Sequence, residues 1–89
     1  MYTHVEVAVT AVNATHTLQR KARALTIQNA GDTNEIYVAI NRAATTSDWE
    51  IAPGQDWPIN DCDDVRTLGF ICAGAETSTA KIVEQAYDV

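Results

Sequence analysis

Residues 24–40 read ALTIQNAGDTNEIYVAI, in which two apolar runs flank a polar segment. In the first run Leu25 and Ile27 alternate with polar residues, and in the second Ile36, Val38 and Ile40 fall on one face. A period of two is that of a β-strand, because successive side chains of a strand point to opposite faces. The intervening NAGDTN is rich in turn-forming residues. The stretch therefore predicts two strands, each with one buried face.

The same alternation continues on both sides of this stretch, and helical periodicity is nearly absent. Seven or eight short strands at spacings of about ten residues are typical of a small sandwich or barrel. The prediction is an all-β fold, a single small β-sandwich or jelly-roll-like barrel of antiparallel strands. The predicted strands are 2–12, 15–20, 24–28, 36–40, 49–51, 57–59, 65–73 and 79–87.

Two prolines add detail to this prediction. Pro53-Gly54 suits a type II turn, since proline presets a negative φ and glycine accepts a positive one. A type II turn does not match the twist of a tight hairpin, so it indicates a corner or a loosely paired hairpin. Pro58 cannot donate a backbone hydrogen bond, and its strand is therefore predicted to lie at the edge of a sheet.

The hydrophobic residues are too small to make a large core. They form 46% of the 89 residues, but 14 of them are alanine. A chain of this length makes one domain, 1–89, and small domains often gain stability from disulfides, metals or self-association. We expect self-association, and residues 1–12 could form an N-terminal strand or an arm exchanged with a neighbouring subunit.

Two interpretations of the cysteines remain open, a pair of separate thiols or a disulfide between them. Cys72 alternates with Leu68 and Phe70 and is expected to face the core as a small hydrophobe, whereas Cys62 lies in a polar turn. A bridge between them is possible, although disulfide frameworks normally contain more cysteines at denser spacing. The start of the chain has neither a basic region nor a long apolar run, so we expect synthesis in a reducing cytoplasm and no membrane span.

The charge balance argues against nucleic acid as a partner. Six basic residues stand against twelve acidic ones, a net charge of −6, whereas binding to phosphate backbones needs a clustered basic surface. The one basic run, residues 20–23, is either a solvated turn or a contact to an acidic partner surface.

The sequence gives little indication of a catalytic or metal-binding site. Asp61, Asp63 and Asp64 lack the further ligands of a calcium loop, and a surface turn explains them equally well. His4 and His16 lie on different predicted strands without an evident third ligand. The serines lie in polar loops outside any nucleophile motif. We therefore predict no enzyme activity, no cofactor and no metal site.

Aromatic residues are the best candidates for a functional surface. The tyrosines are predicted to lie opposite the aliphatic faces, and exposed Trp and Tyr are typical anchors of protein interfaces. The tryptophans could instead cap one end of the sandwich. The last strand has apolar residues on both faces, which also indicates an interface. The predicted oligomer or partner interface comprises Tyr2, Tyr37, Trp49, Trp57, Val83 and Tyr87.

A succession of segments, RALTIQNAG at 23–31, IYVAI at 36–40, IAPGQ at 51–55 and VRTL at 65–68, resembles small β-sandwich virion proteins of tailed bacteriophages. These are head-decoration (cement) proteins and the bases of head or tail fibres. In such proteins a strand ending in Asn-x-Gly leads to a hairpin, and a Pro-Gly turn follows. The resemblance spans about residues 20–87 and implies a homo-oligomer, commonly a trimer, on a capsid or tail.

We accordingly expect a virion structural protein, assembled in the host cytoplasm, that cements a capsid by subunit contacts. Its expected partners are copies of itself and a major capsid protein or another virion protein, with no nucleic acid and no membrane. The alternatives are a tail- or fibre-associated protein, and a carbohydrate- or receptor-binding module in which Trp49 and Trp57 stack on the ligand.

Overall fold

The computed structural model describes residues 2–18, 22–60, 62, 64–74 and 76–86 of the chain. Its strands are β1 (Tyr2–Val9), β2 (Ala14–Thr17), β3 (Ala22–Asn29), β4 (Ile36–Ile40), β5 (Trp49–Ile51), β6 (Asp56–Asn60), β7 (Thr67–Ile71) and β8 (Ser78–Ala86). The described residues contain no helix, and each predicted strand overlaps one of these eight.

The strands form two four-stranded antiparallel sheets. Sheet I has the order β1-β8-β3-β6, and sheet II has the order β2-β7-β4-β5. Among the described strands, every connection except β4–β5 passes from one sheet to the other. Eight strands in two facing sheets with such crossings form a β-sandwich of the jelly-roll type, which confirms the predicted fold class.

Aliphatic side chains from both sheets meet between them, as the alternation predicted. The largest buried side chain is that of Phe70 on β7, and both sheets contribute to the cluster around it. Strand β7 carries Leu68 and Phe70 inward, and Cys72 follows on the same face. The fully buried aliphatic side chains around Phe70 include Val9, Leu25, Ile27, Ile36, Ile51, Leu68 and Ile82.

The polar side chain of Asn29, at the end of β3, is fully buried. Its Nδ2 donates to the carbonyl oxygens of Asn34 and Ile51 at 2.8 and 2.9 Å. Its Oδ1 accepts from Gly31 N–H at 3.0 Å and from Ser78 Oγ at 2.7 Å. The amide therefore ties together β3, the following loop, the end of β5 and the start of β8.

The Asn-x-Gly sequence has a physical reason in this cluster. A Cβ on Gly31 would collide with Ser78 Oγ, so any other residue at position 31 would displace the hydroxyl that donates to Asn29 Oδ1. The expectation that this motif leads to a hairpin is wrong. Strand β3 pairs with β6 and β8 of sheet I, whereas β4 pairs with β5 and β7 of sheet II. The motif instead carries the chain across the sandwich.

Pro53-Gly54 forms the predicted corner. Gln55 N–H donates to Ala52 C=O at 3.0 Å, and Gly54 has φ of +80°, as in a type II turn. The corner takes the chain from β5 in sheet II to β6 in sheet I. Strand β6 with Pro58 lies at the edge of its sheet, as predicted.

A loop at residues 41–48 covers part of the outer face of sheet II. Gly69 lets it approach, because a Cβ there would lie 2.5 Å from Arg42 O and 2.8 Å from Ala44 N. The Asp48 carboxylate accepts hydrogen bonds from the Arg42 guanidinium and Thr45 N–H, and these hold the pKa of Asp48 well below its usual range. As a result Ala39 and Ala44 are buried outside the main core.

Replacing Asn29 with alanine should lower the free energy of unfolding by about 3 kcal/mol. The substitution leaves several buried polar groups without partners, and each such group costs about 1–3 kcal/mol. The measurement is urea unfolding followed by tryptophan fluorescence. The matched control is Asn60→Ala, at an exposed position at the end of β6, for which we expect a change within about 0.5 kcal/mol. Equal effects of the two substitutions would contradict this assignment to Asn29.

Candidate functional site

The structure brings two of the predicted interface residues together. Trp49 begins β5, the outer strand of sheet II, and Trp57 lies on β6, the outer strand of sheet I. Their ring centroids are 5.4 Å apart and their planes are tilted by 31°. We call these two residues the tryptophan pair. It bridges the two sheets along one open side of the sandwich.

The two members of the tryptophan pair differ in exposure. Trp57 lies opposite Ile27 in the β3–β6 ladder and packs against the core. Trp49 lies beyond it and is 57% exposed. Trp57 therefore covers the side of the core, while Trp49 offers much of its indole to solvent, and the interface role of both stays a prediction. A large aromatic side chain in that position is suited to anchor a contact.

The outer edge of β6, which carries Trp57, lacks a backbone donor at Pro58. Asn29 N–H donates to Gln55 C=O at 3.0 Å in the β3–β6 ladder. Along an antiparallel ladder, residue pairs that exchange backbone hydrogen bonds alternate with pairs that do not. Asn29 and Gln55 are a bonded pair, so Thr26 and Pro58, three positions along, are a non-bonded pair. A backbone N–H at position 58 would therefore point away from β3. Strand addition at this edge is therefore disfavoured. A partner at the β6 edge would bind side chains more readily than backbone groups.

Tyr37 and Val83 face outward on different sheets, so they lie on opposite faces of the sandwich. Tyr37 is half-buried on the outer face of sheet II, and its hydroxyl donates to Glu50 Oε2 at 3.4 Å. Partial desolvation, and then the nearby Glu50 carboxylate, raise the pKa of Tyr37. Val83 is half-buried in sheet I, between His4 of β1 and Thr26 of β3.

The side chains of the two remaining predicted interface residues, Tyr2 and Tyr87, lie outside the described part of the structure. Tyr2 pairs with Gln85 in the β1–β8 ladder, but its side chain lies outside the described part of the structure. Tyr87 lies outside the described residues altogether. Their roles at an interface remain predictions.

A polar pair between the sheets was missed by the sequence analysis. His16 of β2 and Glu84 of β8 place Nε2 and Oε2 3.1 Å apart, and their side chains are only 16% and 14% exposed. The sequence suggests His16 only as a possible metal ligand beside His4, but β1 and β2 lie in different sheets and do not pair. No sequence signal linked residues 16 and 84, since their contact depends on how the two sheets face each other.

Neither cysteine is available at the surface. Cys62 is 0% and Cys72 is 1% exposed, and no disulfide joins them. Burial, and then the negative charge of Glu76, raise the pKa of Cys72. Cys62 lies in a turn, as predicted, yet its side chain packs into the core cluster and its Sγ contacts Ile59 O at 3.2 Å. The possible disulfide between Cys62 and Cys72 is not formed in this structure.

Metal ligands do not converge in the part of the chain that the structure describes. Within it, no group of three or more His, Cys, Asp or Glu residues is arranged to hold an ion. Asp61 and Asp63 of the possible calcium turn lie outside the described residues, and Asp64 is exposed. In the same described segments, no helix is long and apolar enough to cross a bilayer.

Comparison with known proteins gives a likeness of fold. No family model matches the chain, and no curated protein matches it significantly. A solved structure from Bacillus endospore appendages, which form a family of disulfide-linked pili, is similar with a TM-score of 0.56. The match covers 98% of this chain and 87% of the other, at 11% sequence identity. At that identity the likeness shows that the two chains share a small β fold.

Joint replacement of His16 and Glu84 should lower the free energy of unfolding by less than the sum of the two single substitutions. Either His16→Leu or Glu84→Leu leaves a mostly buried polar group unpaired, at a cost of about 1–3 kcal/mol. In the double variant both groups are apolar, so its loss should be smaller than the sum of the two single losses. Urea unfolding of the four proteins measures the coupling, with exposed Glu6→Leu as the control. Strictly additive losses would contradict a direct interaction.

Proposed function

We propose that this chain is a structural subunit that acts by contact with other proteins and carries out no reaction. More specifically, we propose a capsid decoration protein of a tailed bacteriophage, which stabilises the head as a symmetric oligomer, with a trimer favoured. Its partners are then other copies of the chain and a major capsid protein. Its place is the virion, after assembly in the host cytoplasm.

The exposed side of the tryptophan pair is the observation that carries this proposal. Trp49 is 57% exposed, although an indole buries a large apolar area when it is covered. Because Trp57 fixes it from behind at a centroid distance of 5.4 Å, Trp49 loses little further freedom when a partner covers it. Rigid aromatic anchors of this kind supply much of the binding energy at protein interfaces.

Two further observations support an assembly role. Jelly-roll sandwiches are common in viral capsid domains. The similar structure from endospore appendages belongs to a protein that forms pili, which are assemblies of repeated subunits. Those pili are disulfide-linked, whereas both cysteines of this chain are buried thiols. We therefore propose that its contacts are non-covalent.

A second candidate function is carbohydrate or receptor binding, for example on a tail or fibre. The exposed indole of Trp49 favours it, because a flat aromatic face also suits the apolar face of a sugar ring. Jelly rolls occur in lectin domains as well. A glycan array with quenching of tryptophan fluorescence tests this candidate, and quenching that disappears in Trp49→Ala would favour it over the decoration role.

Replacing Trp49 with alanine should reduce self-association without unfolding the chain. We expect the wild-type protein to have about three times the 9.7 kDa mass of one chain at micromolar concentration, and the variant to move towards the monomer. Size-exclusion chromatography with light scattering measures this mass, and thermal unfolding monitored by circular dichroism checks the fold. Thr17→Ala, at an exposed position on β2, the edge strand of sheet II opposite to β5, is the control.

A wild-type protein that remains a monomer up to about 100 μM would count against assembly by self-contact. Unchanged association of the Trp49→Ala variant would remove the tryptophan pair from the interface. The genes beside the coding sequence test the phage assignment separately, since we expect a major capsid gene among them.

A further inference from the structure

We propose that β1 is exchanged between copies of the chain, so that β1 of one copy pairs with β8 of the next. This inference rests on the proposed function, since it requires that copies contact one another. It names the segment through which they do so.

Strand β1 is held along only one of its edges. Its eight residues pair with β8, from Tyr2 opposite Gln85 to Val9 opposite Ser78, and β1 is the outer strand of sheet I. Strand β2, at the corresponding edge of sheet II, has only four residues. The inward side chains Val5 and Val7 are therefore only half-buried. A second copy at this side could cover what the short β2 leaves open.

Detachment of β1 without a replacement is unfavourable. Val9 is completely buried, and removal of β1 would expose it together with the edge of β8. A β1 strand from another copy restores the same ladder and the same burial, because its sequence is identical. In the closed form, β1 pairs with β8 of its own chain. Exchange therefore preserves the interactions of the closed form and changes only the connection between β1 and β2.

The connection at residues 10–13 is suited to act as a hinge. It is fixed at both ends, since Cys72 N–H donates to Thr10 C=O and Ala44 N–H donates to Asn13 Oδ1, each at 2.8 Å. Between these anchors Ala11 and Val12 are exposed, and Val12 N–H makes a local hydrogen bond to Thr10 Oγ1 at 3.1 Å.

This hinge must turn the chain within four residues in the closed form. Facing sheets lie about 10 Å apart, and the hinge has to cross that distance while reversing direction. In the exchanged form it can run extended towards the neighbouring copy. Val12, which is 77% exposed in the closed chain, then lies at the junction between copies, where an apolar side chain can be covered.

Engineered disulfides distinguish the exchanged form from the closed form. In the variant His4→Cys/Val83→Cys, the new thiols lie directly opposite each other on β1 and β8. Opposite residues of an antiparallel pair have Cα atoms about 4.5–5.5 Å apart, which suits a disulfide. The control Thr26→Cys/Val83→Cys joins β3 to β8, which stay in one chain, and it retains the same Val83 substitution.

We expect the first variant, oxidised at assembly concentration, to run mainly as a covalent multimer on non-reducing gels. The control should run as a monomer under the same conditions. A second set, Glu6→Cys/Lys81→Cys with the control Gln28→Cys/Lys81→Cys, repeats the comparison one row along the sheet in case the first variant fails to fold. Monomeric bands from the β1–β8 variants that fold would overturn the exchange.

Light scattering on the same samples separates this inference from the proposed function. An oligomer whose β1–β8 links are all within single chains overturns the exchange but leaves assembly intact. A monomer with links only within the chain overturns both. An oligomer with links between chains supports both.

Discussion

The hydrogen bonds of the buried Asn29 amide hold one end of this sandwich together. Its side chain bonds to groups in β3, in the loop before β4, at the end of β5 and at the start of β8. The two sheets share no backbone ladder, so contacts between them must come from side chains and from crossing loops. Asn29 supplies such a contact where the chain crosses from sheet I to sheet II. A side chain at Gly31 would displace the Ser78 hydroxyl that bonds to Asn29.

This end of the molecule also sets the position of the tryptophan pair. Ile51, whose carbonyl accepts from Asn29, lies two residues after Trp49, and the Pro53-Gly54 corner then returns the chain to β6 and Trp57. Fixing β5 and β6 at the corner thus places the two indoles across the open side of the sandwich. Because a chain of 89 residues can bury only a small core, covering this side with another protein is a direct way to add buried apolar area.

Much of the fold could be predicted from the sequence, while much of the candidate site could not. Alternation located the strands, and Pro58 and Pro53-Gly54 gave an edge strand and a corner that the structure contains. The hairpin expected after Asn-x-Gly was wrong, because a turn-rich segment does not specify which sheet receives the next strand. The His16–Glu84 contact was missed, since the two residues are 68 positions apart and share no pattern. The stacking of Trp49 on Trp57 likewise depends on which strands lie at the edges.

The sequence by itself determined the class of fold, the approximate strand positions and the inward face of several strands. These follow from local physics, since period-two alternation, the fixed φ of proline and the freedom of glycine act within a few residues. Only the tertiary structure decided which sheet each strand joins, that Cys62 is buried in its turn, and that Trp49 is exposed while Trp57 is packed. The reason is that strand partners and the facing of two sheets are set by contacts between residues far apart in the chain, and these contacts leave no periodic signal in the sequence.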